Sequence, residues 1–341
     1  MSMRRLFIAI ALLLSGFSPA LAEPSCGGVD LLARMKNADP ARYEKLAVEA
    51  KATPFGAARL FRISKGSAQP SYLFGTAHVS DSRGLAWVDE IAPLLEGAVT
   101  LAIENNDLNP KAPNPGALMK FAAMMVAKPD ELLEQTLGAD ELQTLAKAAA
   151  PKLSLSPEAT VRLRPWPLIM ALGSPLCESL RAKTSNVVDY EIAARAQAKG
   201  LPVVGLETVD ETLESIMAPS RDTQIDILRS SLASYGEIES VFETVIRLLD
   251  RGETGLLAAY ARDEGLRTLR DPRNWDIFMS SFVDDRNRTM FRVALPLVER
   301  GGAFIAVGAL HLPGEKGLVK MFADAGYRIE PIILPRTTKD E

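Results

Sequence analysis

The sequence predicts an α/β protein built on a largely parallel central sheet with helical insertions. Three observations carry this. Four short runs, Ser71–Phe74, Ala98–Ile103, Leu201–Leu206 and Ala303–Val307, are almost continuously apolar, the habit of strands buried on both faces of a parallel sheet. Segments around them are apolar at helical spacing, and two long stretches, about 116–180 and 211–270, are rich in Ala, Leu, Met and charged residues with few β signals.

Between the first two runs, Val88, Ile91, Leu94 and Leu95 mark a helix over Trp87–Leu95. A helix over Asp189–Lys199 is stopped by Gly200 before the third run. A long amphipathic helix over about 281–299 is broken by Gly301-Gly302 ahead of the fourth. Gly317–Ala325 reads as a helix and Tyr327–Leu334 as a last strand. Segment 105–116, with three Pro and four Asn, is expected to be a loop beside Glu104.

Composition narrows the function. The 341 residues are 47% hydrophobic and 24% charged, ordinary for a globular chain, and Lys plus Arg number 39 against 43 Asp plus Glu. No cationic field exists to gather nucleic acid. The N-terminus reads as an export signal: Arg4 and Arg5, an apolar core Leu6–Leu14 too short to span a bilayer, and Ala20-Leu21-Ala22, which places cleavage after Ala22. The mature chain, 23–341, is expected to be a single domain without a stable membrane anchor, periplasmic if the source is Gram-negative. In an oxidising compartment the two cysteines, Cys26 and Cys177, are expected to pair. The alternative is two unrelated buried thiols.

Histidine is the most informative count, because there are only two. Both occur in one context, a strand followed by Gly-x-x-His: Gly75 to His78, and Gly308 to His311. A glycine past a strand permits a tight turn or a close approach of ligand, so both glycines are candidate substrate contacts. Each imidazole then projects over the carboxyl edge of the sheet, where open parallel sheets bind their ligands. Glu104 and Glu207 end the other two runs. Two imidazoles with one or two carboxylates and no thiolate suit a catalytic divalent ion, Zn, Mn or Co, better than a structural zinc. The plainer alternative is a set of hydrogen-bonded, half-buried side chains.

Tyr72-Leu73-Phe74-Gly75-Thr76-Ala77-His78, Val204-Gly205-Leu206-Glu207-Thr208, Asp285-Arg286-Asn287 and Val307-Gly308-Ala309-Leu310-His311-Leu312-Pro313-Gly314 together resemble the TraB/GumN family, which includes the animal Tiki proteins. The resemblance runs from about Cys26 to the C-terminus. It implies a fold like that of erythromycin-esterase and ChaN-type proteins, and metal-dependent peptidase activity as in the Tiki relatives. Its functional pattern, two G-x-x-H motifs, a glutamate and an arginine, maps onto His78, His311, Glu104 and Arg286. Asp189 lies in a corresponding segment and is a candidate substrate contact, or a carboxylate at a helix N-terminus.

The resulting expectation is an exported metal-dependent hydrolase acting on a peptide or other small periplasmic substrate. His78 and His311 would hold the ion with Glu104 or Glu207, and the other glutamate would be general base. Arg286 would hold an oxyanion, unless it forms only a surface pair with Asp284 or Asp285, and Asn287 would bond substrate or orient a ligand. Metal-free ester hydrolysis with histidine as base stays open. The rival readings are a periplasmic haem- or ligand-binding protein with His78 or His311 as axial ligand, and a non-enzymatic factor in polysaccharide export or signalling. Pro165-Trp166-Pro167 is read as an ordinary packed Trp, with a cleft-lining one as the alternative.

Overall fold

A computed structural model describes residues 26–109 and 113–335. Arg4, Arg5 and the expected cleavage after Ala22 lie outside them. The chain is α/β, 62% helical, around one six-stranded mixed, mostly parallel sheet. The strands are β1 (Leu60–Ser64), β2 (Ser71–Thr76), β3 (Thr100–Asn105), β4 (Val203–Glu207), β5 (Ala303–Gly308) and β6 (Arg328–Pro331), in the order β4-β3-β5-β2-β1-β6. Strands β2 to β5 pair in parallel, and β1 pairs antiparallel with both β2 and β6.

All five expected strands form. The sixth, β1, has a weak signal: Leu60-Phe61-Arg62-Ile63-Ser64 is only five residues long and interrupted by a half-exposed arginine. The last strand is shorter than expected, 328–331 rather than 327–334.

Alternation along the central strands feeds two cores. Phe74, Leu101, Ile103, Phe304 and Ala306 face one side, packed with Val88 and Ile91 of helix Ser82–Glu96 and with Ile192 and Ala193 of helix Val188–Ala198. Their neighbours Leu73, Ala102, Ile305 and Val307 face the other side, against Met290, Ala294 and Leu297 of helix Asp285–Arg300 and Val319 and Phe322 of helix Leu318–Asp324. Period-two side chains buried on both faces are the physical reason the runs read as continuously apolar. Helix Asp285–Arg300 is entered through a single wide π-turn, Ser280–Asp284, and ends at Gly301, whose φ of +82° and contact with the Gln69 backbone leave no room for a side chain. The helical stretches 116–180 and 211–270 contribute two smaller apolar clusters, one around Leu145, Leu168 and Leu228, the other around Trp166, Val209 and Leu213. Among the described residues no helix is long and apolar enough to cross a membrane.

Cys26 and Cys177 form a disulfide across 151 residues of sequence. It ties the start of the described chain to helix Leu176–Arg181, whose Glu178 accepts the backbone N–H of Ser80 and whose Arg181 pairs with Asp81. The bridge therefore steadies the segment that carries His78. In the chain-entropy account a loop this long contributes about 3–5 kcal/mol. Reduction, or Cys177→Ser, is expected to lower unfolding stability by about that amount. Urea denaturation with and without dithiothreitol checks it, and coincident midpoints would refute it.

Candidate functional site at the carboxyl edge of the sheet

Parallel pairing sets β5 between β2 and β3, with Thr76 opposite Gly308 and Asn105 opposite Glu207. The four groups singled out in the sequence therefore meet at one edge. Their centre is Arg286, near the start of helix Asp285–Arg300. Its Nη2 donates to Glu104 Oε2 and Glu207 Oε2, both at 2.7 Å, and its Nε to Glu207 Oε2 at 2.9 Å. Its Nη1 makes longer contacts, 3.3 Å to the Phe282 carbonyl and 3.5 Å to His311 Nε2. The surface pair with Asp284 or Asp285 is not formed: Asp284 pairs with Lys316 and Asp285 with Arg288.

Each imidazole is anchored through Nδ1. Asp189 Oδ2 accepts from His78 Nδ1 at 2.8 Å, while its Oδ1 accepts from Thr76 Oγ1 at 2.6 Å. Asn287 Oδ1 lies 2.7 Å from His311 Nδ1, and Asn287 Nδ2 donates to the Lys316 carbonyl at 2.8 Å. That second bond identifies Oδ1 as the acceptor, so His311 Nδ1 carries the proton and Nε2 carries the lone pair. The two Nε2 atoms face the same carboxylate, His78 at 3.9 Å from Glu104 Oε2 and His311 at 3.7 Å from Glu104 Oε1.

The environments differ. His78 has 62% of its side-chain surface exposed, His311 only 6%. The Asp189 carboxylate, assisted by Glu104, raises His78 from 6.5 toward about 9. Exposure of the ring means that this charge, rather than burial, sets the direction. Burial and the Arg286 guanidinium outweigh Glu104 at His311 and lower it to about 4. Burial would raise Glu104, but Arg286, His311 and His78 override it and hold the carboxyl far below its usual range.

The positions of the other expected site residues are as follows. Asp189, expected as a substrate contact or a carboxylate at a helix N-terminus, is 4% exposed and sits under His78, in the first turn of its helix. Asn287, 1% exposed, orients His311. Gly75 is packed against the turn after β5, where a Cβ would lie 2.7 Å from Leu312 Cδ1. Gly308 donates its N–H to Glu104 Oε1 at 2.5 Å, and a Cβ there would crowd the same oxygen at 2.9 Å. Both glycines allow close approach of protein to protein. Glu207 has no exposed side-chain surface, and both its oxygens face Arg286. The residue missed in the sequence is Thr76, which lies inside Gly75-x-x-His78 and fixes Asp189. A threonine closing an apolar strand has no signal of its own.

Among the described residues no group of three or more His, Cys, Asp or Glu side chains stands in position to hold a metal ion as the side chains lie. The donor chemistry nonetheless fits a divalent ion: two imidazoles fixed through Nδ1, one by a carboxylate and one by an amide, with Nε2 turned on a shared carboxylate. Their N-to-O separations are a few tenths of an ångström wider than the roughly 3.4 Å between ligands of a tetrahedral zinc. Arg286 Nη1 stands nearer to His311 Nε2 than the Glu104 carboxylate does, at 3.5 Å against 3.7 Å.

The TraB/PrgY/gumN family model matches residues 59–331, a span that holds every residue of this edge. Distant similarity extends to two proteins that both bear the name Uncharacterized protein YbaP. The one from Shigella flexneri is 22% identical over 251 residues, covering 74% of this chain and 87% of that protein. The one from Escherichia coli (strain K12) is 24% identical over 191 residues, covering 56% and 68%.

With two histidines in the chain, imidazole NMR can be assigned by one substitution. The metal-free protein is expected to show one ring titrating near 9 and one neutral down to about 4. A raised His78 stabilises the fold fully below 6.5 and loses that contribution as pH rises through about 9. A lowered His311 costs stability as pH falls from 6.5 toward 4, and Glu104 adds to that loss below its usual 4.5. Asp189→Asn should move the high titration down; an unmoved ring would show that Asp189 does not set it.

Proposed function

The chain belongs to the TraB/PrgY/gumN family, and on that premise we propose that it is an exported, metal-dependent hydrolase acting on peptide bonds at the carboxyl edge of its sheet. The single observation that carries this reading is the turning of both anchored imidazoles, through Nε2, onto Glu104. Export is supported by the N-terminal Arg4, Arg5 and apolar core, and by the disulfide, which suits an oxidising compartment.

His78 and His311, with Glu104, would hold a Zn, Mn or Co ion. Such an ion supplies an acidified water and polarises a scissile carbonyl. The chain's own groups do the rest. Asp189 and Asn287 hold the rings so that Nε2 faces inward. Gly308 N–H and Arg286 hold Glu104 ionised and fixed in direction. Glu207 fixes Arg286 from behind and leaves Nη1, with its two long contacts, as the donor free to turn toward an oxyanion. Exposed His78 lies on the solvent side, where a substrate enters. A haem would need an apolar face against its ring, whereas His311 Nε2 meets Arg286 and Glu104.

One observation favours a second reading. The His78–Asp189 pair, with an exposed imidazole, is also the arrangement of a metal-free acid–base dyad. Metal analysis and peptide-library hydrolysis separate the two. The first reading expects stoichiometric divalent metal, lost in both His78→Ala and His311→Ala, and activity abolished by chelator. Activity that survives chelation and His311→Ala but not His78→Ala favours the dyad. Arg286→Gln is expected to lower kcat about 10²–10³-fold if Nη1 faces the oxyanion. Neither metal uptake nor hydrolysis after loading with all three ions would overturn the proposal.

A further inference from the structure

Away from the histidine edge, the helical region holds a second polar constellation. A cavity of about 200 Å³ is lined by Glu131, Arg164, Trp166, Met217, Arg221 and Gln224, among others. Three of its wall residues carry a buried N–H with no hydrogen-bond acceptor: Nε of Arg164, Nε1 of Trp166 and Nε of Arg221. A sealed, unpaired donor costs about 1–3 kcal/mol, and native structures hold few of them. All three belong to residues that line this one cavity.

The charges point the same way. Arg221 donates to Thr136 Oγ1 at 2.8 Å and to the carbonyls of Glu131 and Leu132 at 2.9 and 3.0 Å, all neutral acceptors. Among the described residues no carboxylate pairs with it. Arg164 has its Nε 3.1 Å from Glu131 Oε2, an ion pair without hydrogen-bond alignment, and its Nη1 donates only to the thioether of Met217 at 3.2 Å. A thioether is a weak acceptor for a guanidinium. Helix Pro165–Leu172 begins at this wall, with Arg164 in the capping position and no side-chain cap on its N-terminus. Two guanidinium groups against one carboxylate leave the cavity one positive charge in excess. Trp166 itself is 1% exposed and held edge-to-face on Phe121, with ring centroids 5.2 Å apart.

We propose that this cavity binds a small oxyanion of single negative charge, a carboxylate or a dihydrogen phosphate, received by Arg164, Arg221 and Trp166 Nε1. Small turns of these side chains bring the sealed N–H groups onto the anion oxygens. The site is separate from the histidine edge and does not depend on any activity there.

Trp emission and thermal melting of the full mature protein, titrated at constant ionic strength with acetate, phosphate or chloride, provide the test. A saturable shift with acetate or phosphate, absent with chloride, is expected at a midpoint of about 1 mM or tighter. The responding anion identifies the source, carboxylate or phosphate. Trp166→Phe keeps an aromatic ring at the site but removes one donor, and should weaken the melting response about tenfold. Arg221→Gln should abolish it, while His78→Ala should leave it intact. Responses to all three salts alike, to none, or undiminished in a folded Arg221→Gln protein would overturn the proposal. Should Arg221→Gln fail to fold, the wild-type selectivity and the Trp166→Phe comparison decide it.

Discussion

Arg286 joins elements that have no other reason to agree on a common geometry. Its guanidinium reaches Glu104 on β3, Glu207 on the neighbouring β4 and the carbonyl of Phe282 in the π-turn before its own helix. The side chain is 11% exposed, and the two carboxylates 9% and 0%. Buried charges of this kind are costly singly and tolerable together. Removing one partner of a buried pair typically costs about 3–5 kcal/mol, because the others are left uncompensated. Without the arginine, two carboxylates would face each other across adjacent strands. With it, Glu104 is ionised and aimed, one oxygen on Arg286 and the other on the Gly308 N–H.

The aimed carboxylate gives the two histidines their common target, and the surroundings then make them unequal. One imidazole rests on a carboxylate and looks out to solvent; the other rests on a neutral amide and is sealed in. The same ring chemistry is pulled in opposite directions, toward about 9 and about 4. Titratable groups driven apart in this way are a mark of sites that divide proton duties. The supports of these rings come from different parts of the chain. Asp189 belongs to the helix before β4, Asn287 to the helix before β5, and the backbone around His78 is pinned by Val188, Glu178 and Arg181. The disulfide at Cys177 is the covalent end of that last chain of contacts.

The two polar constellations use arginine differently. At the sheet edge Arg286 has more carboxylate than it needs, and its role is to hold acids in place. In the helical region Arg221 has only neutral acceptors, and Arg164 pairs with Glu131 and leans on a thioether. The first is electrostatically closed from within. The second remains short of negative charge, which is why an anion is its natural complement.

Much of this was legible in the amino-acid order. Both faces of the central strands are buried, so their apolar runs stand out; only β1, short and interrupted by Arg62, escaped notice. The pairing of two Gly-x-x-His turns, and of two glutamates at strand ends, marked the edge where chemistry would be sought. What the sequence could not assign was the division of labour within it. Glu104 and Glu207 both end apolar runs and are locally indistinguishable; only the crossing of helix Asp285–Arg300 seals one behind Arg286 and leaves the other facing the imidazoles. Asp189, a candidate substrate contact in the sequence, and Asn287, expected to bond substrate or orient a ligand, lie beneath the rings in the fold and support them. By itself the sequence determined the sheet, its edge and the residues gathered there, since periodicity and motif are local properties. Their roles were decided by tertiary structure alone, because burial and hydrogen-bond partners separated by 100 residues or more exist only once the chain is folded.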